Sequence, residues 1–135
     1  MNVARIGAFA CVERANQIAN FLDAGQAAQV IVPAPENNAN QRLLISSMVI
    51  PAGKTTAVAS VALAPSQANG CGGSYRVLSY SPLPCRQAIE KNHPTLRFAK
   101  LDGSDVQLAV ASRSLWILAM PAGTGCVFDK EEIVQ

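Results

Sequence analysis

At 135 residues the chain has the length of one domain, and a hydrophobic fraction of 50% lets it bury a core. Charged residues make up only 15%, with eleven basic against nine acidic for a net charge of +2, and they are scattered. No basic stripe suits a phosphate backbone, so nucleic acid is excluded as the expected partner. The longest nearly apolar stretch, Ala57 to Ala64, falls far short of the roughly 20 residues that a membrane span requires.

The first segment reads as a helix. Asn2 can cap it, Ala8, Cys11, Ala15, Ile18, Ala19 and Leu22 recur at helical spacing, and Gly25 is placed to stop it. Cys11 lies within the apolar stripe and is expected to face the core. The stretch from Pro33 to Asn40, with Glu36, Asn37 and Asn38 at its middle, is a loop by composition. Arg42–Ile50 and Thr55–Leu63 are then rich in β-branched and small residues, with Pro51-Ala52-Gly53 between them. Proline at the first corner and glycine at a left-handed bulge position predict a longer hairpin loop. Pro121-Ala122-Gly123 repeats the device after Ser114–Met120.

Gln67–Ser74 reads as a glycine-rich loop carrying Cys71, and Tyr75–Tyr80 as a strand. Pro84–Asn92 is predicted to be a short helix with Ser81 as a possible cap, Pro84 in its first turn and Pro94 beyond its end. Leu96–Leu101 and Val106–Val110 flank the turn signal Asp102-Gly103. Leu115–Met120 is apolar on both faces, which predicts a central strand covered on both sides, with Trp116 largely buried. Strands in hairpin-connected runs, not alternating with helices, predict an α+β fold. In it an N-terminal helix packs on a largely antiparallel sheet, with a second short helix, in a single globular domain spanning 1–135.

Cys11, Cys71, Cys85 and Cys126 stand 60, 14 and 41 residues apart, a spacing without the close pairs of zinc or iron–sulfur sites. An even number spread over a small domain predicts two disulfides and an oxidising compartment, periplasmic or secreted, in the bacterial envelope. That reading implies a mature domain whose leader has been removed, because Met1 to Val12 does not itself have the form of a signal peptide. Four cysteines allow three connectivities. The intervening loop, strand and turn favour Cys71 with Cys85, leaving Cys11 with Cys126.

Catalytic patterns are weak. Gly53-Lys54-Thr55-Thr56 resembles the tail of a phosphate loop, but Met48 stands where the first glycine is needed. Gly70-Cys71-Gly72 could house a nucleophile with His93, the sole histidine, as base and Asn92 beside it. His93 between Asn92 and Pro94 is better read as an exposed residue meeting a helix C-terminus. There is no G-x-S-x-G, and Asp102 with Asp105 reads as turn chemistry rather than a glycosidase pair. No cofactor and no metal is expected. Phe9, Phe21, Tyr75, Phe98, Trp116 and Phe128 fall at apolar positions and read mostly as core.

Tyr80 and the loop residues Glu36, Asn37 and Asn38 are the candidate partner contacts, since polar or proline-stiffened loops on a rigid scaffold often bind. The order of helix, long loop and antiparallel sheet with a disulfide is similar to that of the globular heads of bacterial pilins, a resemblance of fold alone. The expectation is a non-enzymatic extracytoplasmic domain that binds another protein, as an inhibitor, immunity-type antagonist or envelope accessory factor. The alternatives are a structural subunit of a pilus-type or envelope assembly, with the first helix packed between subunits, and a thiol-dependent enzyme using Cys71 and His93.

Overall fold

A computed structural model describes residues 3–22, 29–31, 35–53, 55–66 and 70–134. Asn2, Gly25, Pro33 and Lys54 lie outside the described residues. The architecture is α+β: two α-helices and an antiparallel sheet, with two disulfides. The chain divides into two compact units, Met1–Arg76 with Ile133–Gln135, and Val77–Glu132.

In the first unit, the start of the predicted long helix is broken. Val3–Ile6 and Phe9–Cys11 form 3-10 turns, and the α-helix itself (α1) is Val12–Phe21. Gly7, at φ +81°, takes a left-handed conformation that no helix interior accepts. The apolar spacing nevertheless holds, because Ala8, Cys11, Ala15, Ile18 and Leu22 are all buried. The asparagine-rich loop ends in a 3-10 turn at Ala39–Gln41, entered from Asn38 at φ +53°. The side chain of Asn40 accepts a 2.7 Å hydrogen bond from the Ala10 amide, fastening the loop to the turns ahead of α1.

Strands β1 (Gln29–Ile31), β2 (Leu44–Ala52), β3 (Thr55–Ser66) and β4 (Gly70–Ser81) follow in that order across the sheet. Leu44, Met48 and Ile50 on β2 face Leu63, Ala59 and Ala57 on β3, and this side is buried under α1 and its neighbours.

From Gly70 onward the glycine-rich stretch is a strand and not the predicted loop, while residues 67–69 lie outside the described residues. Gly70, at φ +81°, uses glycine's conformational freedom, whereas Gly73 serves close packing. A Cβ on Gly73 would lie 2.8 Å from Ile18 Cδ1, 3.0 Å from Arg14 Cγ and 3.3 Å from Leu63 Cδ2. Helix α1 can seat on the sheet there only because that Cβ is missing.

In the second unit, α2 (Cys85–Asn92) is the predicted short helix. Ser81 does not cap it; its hydroxyl accepts the Leu83 amide, while Pro84 holds the N-cap position without a side-chain bond. Strands β5 (Ala99–Lys100), β6 (Gln107–Val110), β7 (Leu115–Ala122) and β8 (Gly125–Val134) form a meander, and the order across the sheet is β4-β8-β7-β6-β5. Cys85, Ala88, Ile117, Ala119, Cys126 and Phe128 make its core, with Leu83, Ile89, Leu96 and Phe98 packed around them.

The two Pro-Ala-Gly turns share their length and the conformation of their glycine, and both are tighter than predicted. Ala52 pairs with Thr55 and Ala122 with Gly125, so each loop has two residues. Gly53 and Gly123 sit at φ +64° and +58°, while Thr124 does not have a positive φ, the pattern of a turn with glycine first. Each proline lies inside a strand, Pro51 opposite Thr56 and Pro121 opposite Cys126. Pro121 is tolerated because the strand on its other side, β6, does not reach that far.

The disulfide pairing differs from the expected one: Cys11 bonds Cys71, and Cys85 bonds Cys126. The error follows from reading residues 70–74 as part of a loop. With Cys71 in a strand beneath α1, its neighbour is the helix and not the end of the next turn. Each bond lies within one unit and joins the start of a helix to a strand, with Cα atoms 5.0 and 4.8 Å apart.

Candidate functional site

The site is built by what covers β7 and what does not. Its direct partners share its faces: Ile117 stands opposite Ala109 and Lys130, whereas Trp116 stands opposite Val110 and Glu131, and Leu118 opposite Leu108 and Asp129. Helix α2 covers the side of Ile117 and Ala119, which are 3% and 0% exposed. On the other side Trp116 and Leu118 are only partly buried, Met120 is 46% exposed and Val110 67%. The expectation that Trp116 is largely buried is therefore corrected. The strand is apolar on both faces, but α2, eight residues long, has length for one face alone.

Leu108, Val110, Trp116 and Leu118 line a shallow, open hollow of about 290 Å³ on this uncovered side. It falls at the low end of volumes that enclose small molecules, roughly 300–1,000 Å³, and it is not enclosed. Its shape suits a side chain presented by another surface. Tyr80 stands on the same side. The register places Gly125 in the row of Val127, Asp129 and Glu131, and a Cβ on Gly125 would collide with the Tyr80 ring, 2.6 Å from Cζ, and with the Ser81 carbonyl. Tyr80 thus roofs a glycine while leaving 49% of its surface exposed.

The first unit also has an uncovered face, of a different character. Ile45 pairs with Ala62, Ser47 with Ser60, and Val49 with Val58. Among the described residues, Ile45 and Val58 are about half exposed and the paired serines Ser47 and Ser60 stand between them. Glu36, Asn37 and Asn38 are exposed and belong to this unit, whereas Tyr80 belongs to the second. Phe9 and Phe21, read from the sequence with the core aromatics, are 69% and 57% exposed. A small polar cleft beside Cys71 is lined by Glu13, Arg14 and Gln17, but the Arg14 guanidinium is already engaged with the Cys71 carbonyl and the Gln17 amide oxygen.

His93 is half-buried and not the exposed helix-end residue expected. Its ring meets Phe128 edge-on at 5.0 Å between centroids and Phe98 at 6.0 Å. Burial pushes its pKa below the ordinary imidazole value, and the positive charge of Lys130 lowers it further. Cys71, its suggested partner in thiol chemistry, is bonded to Cys11, and the two residues fall in different units.

Among the described residues, no helix is long and apolar enough to cross a membrane. The residues that sequence reasoning missed as a group are Leu108, Val110, Leu118 and Glu131. The signal was available: one long and one short predicted helix are too few to cover a sheet whose central strand is apolar on both faces. No protein-family model, curated protein or solved structure matches this chain.

Proposed function

We propose that this chain is a non-enzymatic, extracytoplasmic protein-binding domain that docks its partner on the uncovered face of the second unit. The observation that carries the reading is the apolar hollow of Leu108, Val110, Trp116 and Leu118, which has an aromatic residue in its wall and no covering element among the described residues. Partly buried tryptophans within apolar surroundings are the residues on which binding energy concentrates. Two disulfides support an oxidising compartment, periplasmic or secreted. Against thiol chemistry, Cys71 would need reduction of its bond to Cys11 before it could act. An assembly subunit would need a surface other than the apolar side of α1, which is buried on its own sheet.

The test is Val110→Asp, a change at a 67% exposed position that should leave the fold intact. A protein from periplasmic or secreted extract that is retained by the wild type and lost by the variant, with unchanged circular dichroism, supports the reading. A partner retained equally by both refutes it.

A further inference from the structure

The uncovered face is apolar at its centre but not neutral at its border. Trp116 is directly opposite Glu131 on β8, and Leu118 is directly opposite Asp129, so both carboxylates lie in rows that lead into the hollow. Glu131 is partly exposed, and Asp129 is 7% exposed and engaged in interactions of its own. Several basic side chains of this unit are paired or face the other side, Arg86 with Glu90 on α2 among them. Lys130 alternates to the side of Ile117, Lys100 pairs with Asp105 at 3.4 Å, and Arg113 lies in the turn beyond Val110. The chain as a whole carries +2, so the acidic border is a local feature and not the average of the surface.

Resting on the docking face described above, we infer that the partner presents an aliphatic side chain and a lysine or arginine together, the first filling the hollow and the second meeting Glu131 beside the Trp116 ring. An aromatic face next to a carboxylate attracts a cation twice over, through the ring's quadrupole and through the opposite charge. The spacing is also set. The hollow lies between β6 and β7, and Glu131 is on the next strand outward. One and a half strand spacings make about 7 Å, which is the reach of residues i and i+2 on one side of an extended chain. The partner segment is therefore extended, with its apolar and basic residues alternating past a third that faces away.

Trp116 is the sole tryptophan, so its emission reports occupancy of the face directly. The probes are three acetylated and amidated pentapeptides, Val-Ser-Lys-Ser-Val and the versions with serine or glutamate in place of lysine. The lysine peptide should shift Trp116 emission with an apparent affinity about fivefold above the serine peptide, as expected for one partly exposed ion pair. The advantage should shrink in 0.5 M salt, as a screened charge must. Glu131→Gln should bring the lysine and serine peptides within about twofold of each other. If the three peptides bind the wild type equally, the face remains a docking surface and the basic partner is refuted. If none shifts the emission, the docking face and its partner both fall. Sedimentation decides the remaining occupant: self-association that Val110→Asp abolishes would make it a second copy of this chain and overturn the inference.

Discussion

Replacing Gly73 with alanine tests the claim that α1 sits where it does because β4 lacks one carbon. The backbone at Gly73 does not have a positive φ, so alanine has no conformational objection, and by chain entropy alone the change would stabilise by about 0.4–1 kcal/mol. The structure predicts the opposite sign. The new Cβ would meet Ile18 Cδ1 at 2.8 Å, almost 1 Å inside ordinary contact, and Ile18 is fully buried with nowhere to turn. The helix cannot simply lift, since Cys11 at its start is bonded to Cys71 two residues along the same strand. Overpacking of this kind costs about 1–3 kcal/mol. The informative comparison is with Ile18→Val, which removes the colliding atom. Alone, it should destabilise by about 0.5–1.5 kcal/mol. In the Gly73→Ala background it should cost nothing or restore stability, a coupling of about 1 kcal/mol or more in a double-mutant cycle. Urea unfolding followed by far-ultraviolet circular dichroism measures all four proteins. A neutral or stabilising Gly73→Ala, or strictly additive single changes, would refute the close-packing argument.

Peptide mapping without reduction should recover only Cys11–Cys71 and Cys85–Cys126 links. Replacing either pair by alanine should cost about 4 kcal/mol on the chain-entropy expression for separations of 60 and 41, and loss under about 1 kcal/mol would mean that the bond constrains little. Ser46 is 3% exposed on β2 and its hydroxyl has no hydrogen-bond partner among the described residues, so Ser46→Ala should be neutral or stabilise by about 1 kcal/mol; a clear loss in thermal unfolding would show a partner for that hydroxyl. The lowered pKa of His93 means the folded state prefers the neutral ring. Its contribution is fully present above the ordinary value of about 6.5 and is lost as pH falls through the lower folded value. Stability measured from pH 7 to 5 should therefore fall less steeply in His93→Gln than in the wild type, and equal slopes would remove His93 from the account.

The elements that could be read from the sequence were those whose signals are local. The apolar spacing from Ala8 to Leu22 names the buried face of the first segment even though Gly7 breaks it into turns. Pro-Ala-Gly marks both hairpins, and Pro84 with Pro94 brackets α2. What escaped depends on non-local contacts. A run of Gly-Cys-Gly-Gly has the composition of a loop, and nothing in it says that a helix dozens of residues upstream needs the missing side chain of Gly73. That single misreading also produced the wrong disulfide pairing. His93 looked exposed because its sequence neighbours are polar, while the rings that half-bury it come from Phe98 and from Phe128 on β8.

The reading of Leu115–Met120 failed in a more instructive way. Alternation can show that a strand is apolar on both sides, but coverage is a property of the rest of the chain. Here α2 closes over Ile117 and Ala119, and no described element crosses Trp116, Leu118 and Met120. The same sheet design in the first unit leaves a face too, yet there the row between Ile45 and Val49 is a pair of serines, Ser47 against Ser60, which water can solvate. A face broken by hydroxyls is stable in solvent as it stands, whereas a row of tryptophan, leucine and valine has a reason to be covered by something else. That contrast, between two uncovered faces of one small protein, is why the search for a partner belongs at Trp116 and its neighbours and not at the asparagine-rich loop.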